Sequence, residues 1–315
     1  MISKNILIDT DIGPDCDDVA ALAMLNIYAN RGLCRILGIG HCTSNPYGAG
    51  TIDAICHYYG HPDVTIGTYQ APGFLCDEKC LIYNKTITEE FPNRYRKQQP
   101  EDACAMYRRI LAAQPDHSVD FVAIGPLNNL SDLLNSEADL YSPLSGKELI
   151  AQKVIRLVMM AGVFEAENAQ ANAMVKELTG YTATDMKEFN VVCDIPSACN
   201  VAKNWPTPKV YLGFEAGMVQ TGIPADTNIG SNHPVKRAYE LYTENGQRYS
   251  WDLLTVEFAI DSNCKHYKTS SPGKVRFDED GRTIWTADMQ GTDHYVLWAQ
   301  SAEQIAKDID LLLCS

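Results

Sequence analysis

The sequence predicts an α/β protein with an open, mostly parallel sheet and helices on both faces. Three observations carry that expectation. Apolar strand-like runs alternate with segments of helical period along most of the chain. Several of those runs are apolar throughout, as strands covered on both faces are. The polar clusters follow the strands, where ligands bind in open parallel sheets.

The elements follow in order. Ile6-Leu-Ile8 reads as a buried strand and Val19–Leu25 as the helix after it. Cys34–Ile39 is the second strand, followed by a mostly helical Tyr47–Tyr59. Val64-Thr-Ile66 is a short strand, Asp102–Ala112 a helix, Val119–Ile124 a strand and Asn129–Asn135 a helical turn. Val154–Met160 is a further buried strand, Ile195–Lys203 a helix and Lys209–Phe214 another strand. β-then-α alternation of this kind builds parallel βαβ units in one layered sheet. The C-terminal third reads as less regular, with turns such as Asp278-Glu-Asp-Gly-Arg282 and a final helix, Ala302–Leu313. There is no internal repeat and no low-complexity linker, so residues 1–315 are expected to form a single domain.

Composition narrows the partners. A net charge of −14 opposes binding to nucleic acid or an anionic membrane. A small polyhydroxyl ligand or a metal cation stays open. The longest apolar stretch, Leu157–Phe164, is too short to span a bilayer. No basic segment followed by an apolar run opens the chain, which points to a cytoplasmic protein. The eleven cysteines are scattered without zinc spacing and read as reduced thiols, some of them core filler.

One stretch raises a chemical question. Asp9-Thr-Asp-Ile-Gly-Pro-Asp-Cys-Asp-Asp18 places five carboxylates directly after a core strand. Like charges this close repel, more so when buried. The N-terminus of the following helix favours anions by only about 0.3–1 kcal/mol each. A bound hard cation is the better resolution, since Ca²⁺ takes several carboxylates in irregular geometry. An EF-hand is excluded, because from Asp9 or Asp11 neither its glycine nor its final Glu is in place. A phosphatase of the haloacid dehalogenase type would need Thr or Val where Gly13 stands.

This segment resembles the signature of the inosine–uridine preferring nucleoside hydrolase family: a strand, Asp-Thr-Asp, a Pro/Gly turn, a double Asp and an apolar helix. Val122-Ala-Ile-Gly-Pro-Leu-Asn-Asn-Leu130 resembles the family's Gly-Pro-Leu-Thr-Asn turn, and Leu157-Val-Met-Met-Ala-Gly162 its strand ending in Met-Gly-Gly. Glu188-Phe-Asn-Val-Val-Cys-Asp194 resembles its Glu-Phe-Asn segment, and Ser250-Trp-Asp-Leu-Leu-Thr-Val256 its C-terminal His-Asp segment. The likeness implies Ca²⁺-dependent hydrolysis of the N-glycosidic bond of ribonucleosides, in a homodimer or homotetramer. By the same resemblance Asp11 is the general base and a metal ligand, and Asp18, Asp252 and the carbonyl of Ile124 complete the ligand set. Asp17 is then the carboxylate on the ribose 2′-hydroxyl, Asn45 and Asn190 bind hydroxyls, Glu188 faces the 5′ side and Met160 packs near the ribose.

Three departures set further expectations. Asp15-Cys16 lengthens the acidic loop, so Asp15 becomes a candidate ligand or ribose carboxylate, and its division of roles with Asp17 and Asp18 stays open. Trp251 replaces the His that protonates the leaving base in many members. Trp cannot be that acid, but it can stack on a base or wall the pocket. His41 is then a candidate substitute acid, against a purely structural role. Thr182 stands where the family has Asn, inside a long segment, Ala166–Thr184, that reads as a mobile loop. Glu215, after the Lys209–Phe214 strand, points into the crevice, supports it from behind or, more simply, lies on the surface. The rivals are a different N-ribosyl substrate, a non-catalytic Ca²⁺-dependent nucleoside- or sugar-binding protein, and a metal-dependent phosphatase.

Overall fold

Asn5-Ile-Leu-Ile8 lies in the central strand of the sheet, β1 (Lys4–Thr10). Ile6 and Ile8 enter one apolar cluster and Leu7 the other, as the two-residue period of a strand requires. In this computed structural model the described residues are 3–164, 169–182, 185–223, 227, 229–230 and 232–315. Strands β2 (Cys34–His41), β3 (Ile66–Thr68), β4 (Glu101–Asp102), β5 (Val119–Ala123), β6 (Val154–Met160) and β7 (Lys209–Leu212) join β1 in parallel. The order β7-β6-β5-β1-β2-β3-β4 means that the chain builds outward from β1 and then returns to its other side with β5. The gap between β1 and β5 is thus the switch point of the sheet.

Helices cover both faces. On one side lie α1 (Asp17–Asn30), α2 (Gly48–Tyr58) and α3 (Asn84–Glu90), with α10 (Pro234–Tyr242), α11 (Trp251–Ile260) and α12 (Ala302–Leu313) completing the layer. On the other lie α4 (Ala103–Ala112), α5 (Asn128–Asn135), α6 (Gly146–Lys153) and α9 (Ile195–Asn204). Two further helices, α7 (Ala169–Thr179) and the short α8 (Phe189–Cys193), follow β6. All ten residues of α11 are buried, because it packs on α1 and on the sheet at once. All eleven cysteines are unpaired, and Cys16, Cys34, Cys42, Cys56 and Cys80 are buried, in keeping with reduced thiols.

The C-terminal third corrects the sequence expectation. It holds β8 (Gln220–Gly222) and β9 (Gln247–Tyr249), a separate antiparallel pair, and β10 (Tyr267–Thr269), β11 (Gly273–Phe277), β12 (Thr283–Ala287) and β13 (Asp293–Trp298), which extend the main sheet. β13 runs parallel to β7, while β10, β11 and β12 are antiparallel. Gly273-Lys-Val-Arg-Phe277 alternates buried and exposed, the signature of a strand with one face in water. The turn at Asp278–Arg282 closes the β11–β12 hairpin. The third strand lies two residues later than Val64–Ile66, at Ile66–Thr68. The Ala166–Thr184 segment contains the helix α7 rather than a continuous loop, and residues 166–168 and 183–184 lie outside the described residues.

Candidate active site

The acidic loop leaves β1 beside the switch point. Gly13 has φ +152°, and a side chain there would meet the Cys80 carbonyl at 2.7 Å and the Asn45 amide at 2.8 Å. Only glycine fits that turn. The Thr10 hydroxyl ties the loop's root together: it donates to the Asp18 carboxylate and accepts from the Ile12 N–H at 3.1 Å. The loop ends at the N-terminus of α1, whose first turn carries Asp17 and Asp18. The N-terminus of α11 brings Asp252 to the same point, and the Asp252 N–H donates to Asp17 Oδ2 at 3.1 Å. Two helix N-termini therefore converge on one group of carboxylates, which helix dipoles favour.

Asp17, Asp18 and Asp252 each offer an oxygen within 4.8 Å of the others. All three are buried. Burial, first, and then repulsion from the neighbouring carboxylates, Asp11 and Asp15 included, hold their carboxyls well above the usual range. Asp11 is buried as well, and burial, with the charges of Asp15 and Glu188, pushes it up to about 8. Buried carboxylates so arranged are relieved either by protonation or by a cation, and this group could hold a metal ion. The donor set is all oxygen, which suits a hard divalent ion rather than zinc or copper.

These side chains line a cleft of about 310 Å³. That lies at the lower end of the range for small-molecule pockets, roughly 300–1,000 Å³. Asp11, Asp15, Asp17, Asp18, Ile124, Met160, Glu188, Asn190, Trp251 and Asp252 all face it. Ile124 and Met160 come from the ends of β5 and β6, and Glu188 caps α8. Glu188 accepts from three backbone N–H groups, of Asn190 at 2.7 Å, Val191 at 3.1 Å and Gly162 at 3.2 Å. Burial still pushes it up to about 7. The Asn190 amide donates to the Met160 carbonyl at 3.1 Å.

Several expectations are corrected. Asn45 does not line this cleft. Its amide nitrogen donates to the Cys80 carbonyl at 2.9 Å and its oxygen accepts from the Tyr47 N–H at 2.9 Å, so it braces the loop beside Gly13. Asp15 faces the cleft but, like Asp11, stands outside the close group of Asp17, Asp18 and Asp252; its carboxylate is gripped by the Arg248 guanidinium, at 2.9 Å from Nε and 2.5 Å from Nη2. His41 is fully buried away from the cleft, paired to the Thr43 hydroxyl at 3.0 Å, and burial lowers it to about 4. It is a neutral structural imidazole, not a substitute acid. Thr182 is exposed and bonded to Asp185 at 2.7 Å. Glu215 is no surface residue: it is buried behind the cleft, accepts from the Phe164 N–H at 3.0 Å, and burial pushes it up to about 8.

The other end of the cleft is aromatic. Trp251 packs on Phe214 with ring centres 5.0 Å apart, and its indole N–H donates to the Phe214 carbonyl at 2.9 Å. A side chain at Gly217 would fall 2.0 Å from the Trp251 ring, so glycine seats the indole. Pro14 of the acidic loop and Phe189, Phe214, Tyr242 and Arg248 complete the lining, and the last four were missed in the sequence. Phe214 directly precedes Glu215, and Arg248 is a lone cation three residues before Trp251; those positions were the only signals.

The chain matches the inosine-uridine preferring nucleoside hydrolase family over residues 6–310. A purine-preferring ribonucleoside hydrolase from Gardnerella vaginalis shares 16% identity at a TM-score of 0.72, covering 99% of this chain and 98% of that one. The inosine-uridine preferring nucleoside hydrolase from Bacillus anthracis shares 14% identity at 0.66, covering 99% of both chains. The type III effector protein XopQ, solved with adenosine diphosphate ribose, shares 15% identity at 0.68, covering 100% of this chain and 93% of that one. No curated protein matches the chain by sequence. At such identities the solved structures show a shared fold, and the family match over nearly the whole length shows the rest: the chain belongs to the inosine-uridine preferring nucleoside hydrolases and is an enzyme that hydrolyses nucleosides at the N-glycosidic bond.

Proposed function

We propose that this enzyme is a Ca²⁺-dependent ribonucleoside hydrolase that releases ribose and free base. The observation that carries the reading is the convergence of Asp17, Asp18 and Asp252 with Asp11 and Glu188 in one cleft at the switch point of the sheet. Asp11, Asp18, Asp252 and the Ile124 carbonyl would hold the ion, which when bound orients the sugar diol and makes a water more acidic. Asp11 takes the proton of the attacking water. Asp17, already fixed by the Asp252 N–H, receives the 2′-hydroxyl. Glu188 is held rigid by its three backbone donors and faces the 5′ side of the sugar. Asn190 addresses a hydroxyl, and Met160 packs against the ribose. The ring of carboxylates stabilises the oxocarbenium charge that develops as the bond to the base breaks.

The departed His at the base end supports one second reading, a different N-ribosyl compound. The Trp251 N–H is committed to a backbone carbonyl, and no His lines the cleft among the described residues. The solved relative complexed with adenosine diphosphate ribose belongs to the same fold.

The test is reducing-sugar release from purine and pyrimidine ribonucleosides, with and without a Ca²⁺ chelator, for wild type and Asp11→Ala. We expect chelation to abolish release and Asp11→Ala to lower kcat by about 10²–10⁴, the usual worth of a general base. Release that survives chelation would remove the metal from the reading. No release from any nucleoside would favour the other N-riboside. We also propose a single cytoplasmic domain that assembles as a homodimer or homotetramer, which light scattering checks.

A further inference from the structure

We infer that Arg248 holds the departing base, and that the cleft therefore selects N-ribosides whose base leaves with negative charge. The inference rests on the hydrolase reading and adds the leaving-group side to it. The usual donors at that end are spent. The Trp251 N–H donates to the Phe214 carbonyl at 2.9 Å, and the Tyr242 hydroxyl donates to the Pro14 carbonyl at 2.9 Å. His41 lies outside the cleft. Among the described residues lining it, Arg248 is the one cation.

Its placement is built. Nε and Nη2 grip Asp15, and the guanidinium lies 5.2 Å from the centre of the Trp251 ring and 5.9 Å from that of Tyr242. Asp15 belongs to the two-residue extension of the acidic loop. It acts as a positioning residue, keeping the guanidinium from swinging onto the Asp17, Asp18 and Asp252 group. Nη1 makes no hydrogen bond among the described residues and can donate to a ligand in the cleft.

The chemistry then balances without an acid. Water oxygen bonds to C1′ and its proton passes to Asp11. The C1′–N bond breaks and its electron pair goes to the base nitrogen. The base leaves as an anion against Arg248, which keeps its own protons, and is protonated by solvent after release. A pyridinium riboside is positively charged before cleavage, so the same guanidinium opposes it.

The test compares Arg248→Gln and Arg248→Lys with wild type on two substrates: a purine ribonucleoside, and a 4-nitrophenyl β-riboside whose leaving group needs no assistance. Arg248→Gln is expected to lower kcat on the purine ribonucleoside about 100-fold, as loss of a charge-stabilising donor does, with the loss on the nitrophenyl riboside at least about tenfold smaller. Arg248→Lys should recover part of the selective loss and carries the comparison if the Gln variant fails to fold, as a thermal melt would show. Equal losses on both substrates would mean that Arg248 only braces the loop, and would overturn the inference alone. No ribose from either substrate with wild type would overturn the hydrolase reading and this inference with it.

Discussion

Glu215 shows how a single buried carboxyl couples the cleft to pH. It sits behind Phe214, accepts from the Phe164 N–H, and has a second oxygen with no hydrogen-bond partner among the described residues. Burial raises it from 4.5 to about 8. A carboxyl raised in the folded state stabilises fully below its unfolded value, and that contribution is lost as pH climbs through the folded one. The loss therefore falls between about pH 4.5 and about pH 8. Glu215→Gln keeps an acceptor for Phe164 and cannot ionise, so its urea midpoint relative to wild type should rise steadily across that window. A constant difference from pH 4.5 to 8 would place the ionisation elsewhere. At this scale the sequence is a good guide to which residues gather and a poor one to what they touch. Asp11, Asp17, Asp18 and Asp252 are legible because carboxylates beside an apolar strand and helix demand a reason. The Asp15–Arg248 grip spans the chain from the first loop to β9 and leaves no local pattern.

Elements meet at both ends of α11. Its N-terminus delivers Asp252 to the cleft, and near its other end Glu257 joins a buried cluster. His266 bonds Glu257 through Nδ1 at 3.0 Å and Asp308 of α12 through Nε2 at 3.0 Å; Cys264, Tyr267 and Lys265 surround it. Hydrogen bonding to Cys264, then to Glu257, raises His266 to about 11. A raised imidazole stabilises fully below its unfolded value, near 6.5, and that stability is lost as pH rises through about 11. Wild type should therefore lose stability between pH 7 and 10.5 faster than His266→Gln, as denaturant melts would measure. Parallel curves would assign the decline to other groups. β1, β2, β5, β6 and β7 were legible because they are apolar and separated by helices, whereas β4, two exposed residues, left no pattern in the sequence. β8 to β13 were not legible, since strands of three to six residues carry a weak period and pair in an order that departs from the chain's.

The whole molecule bears the cost of its acidic centre. Without a cation, several buried carboxylates oppose folding; with one, binding adds to stability. At a Ca²⁺ concentration a hundred times Kd the gain is about 2.7 kcal/mol, or roughly 5 °C in Tm for a domain of this size. Asp252→Asn should abolish most of that shift, and a calorimetric scan with one cooperative transition would agree with a single domain. An unchanged Tm on adding Ca²⁺ would rule the ion out as a resident. The convergence of α1 and α11 also has a consequence for synthesis. Asp17 and Asp18 emerge from the ribosome first, whereas Asp252 lies four-fifths of the way along the 315-residue chain. The carboxylates must therefore stay in water until nearly the entire polypeptide exists, and a chain cut short before α11 should form much of its sheet yet capture no metal.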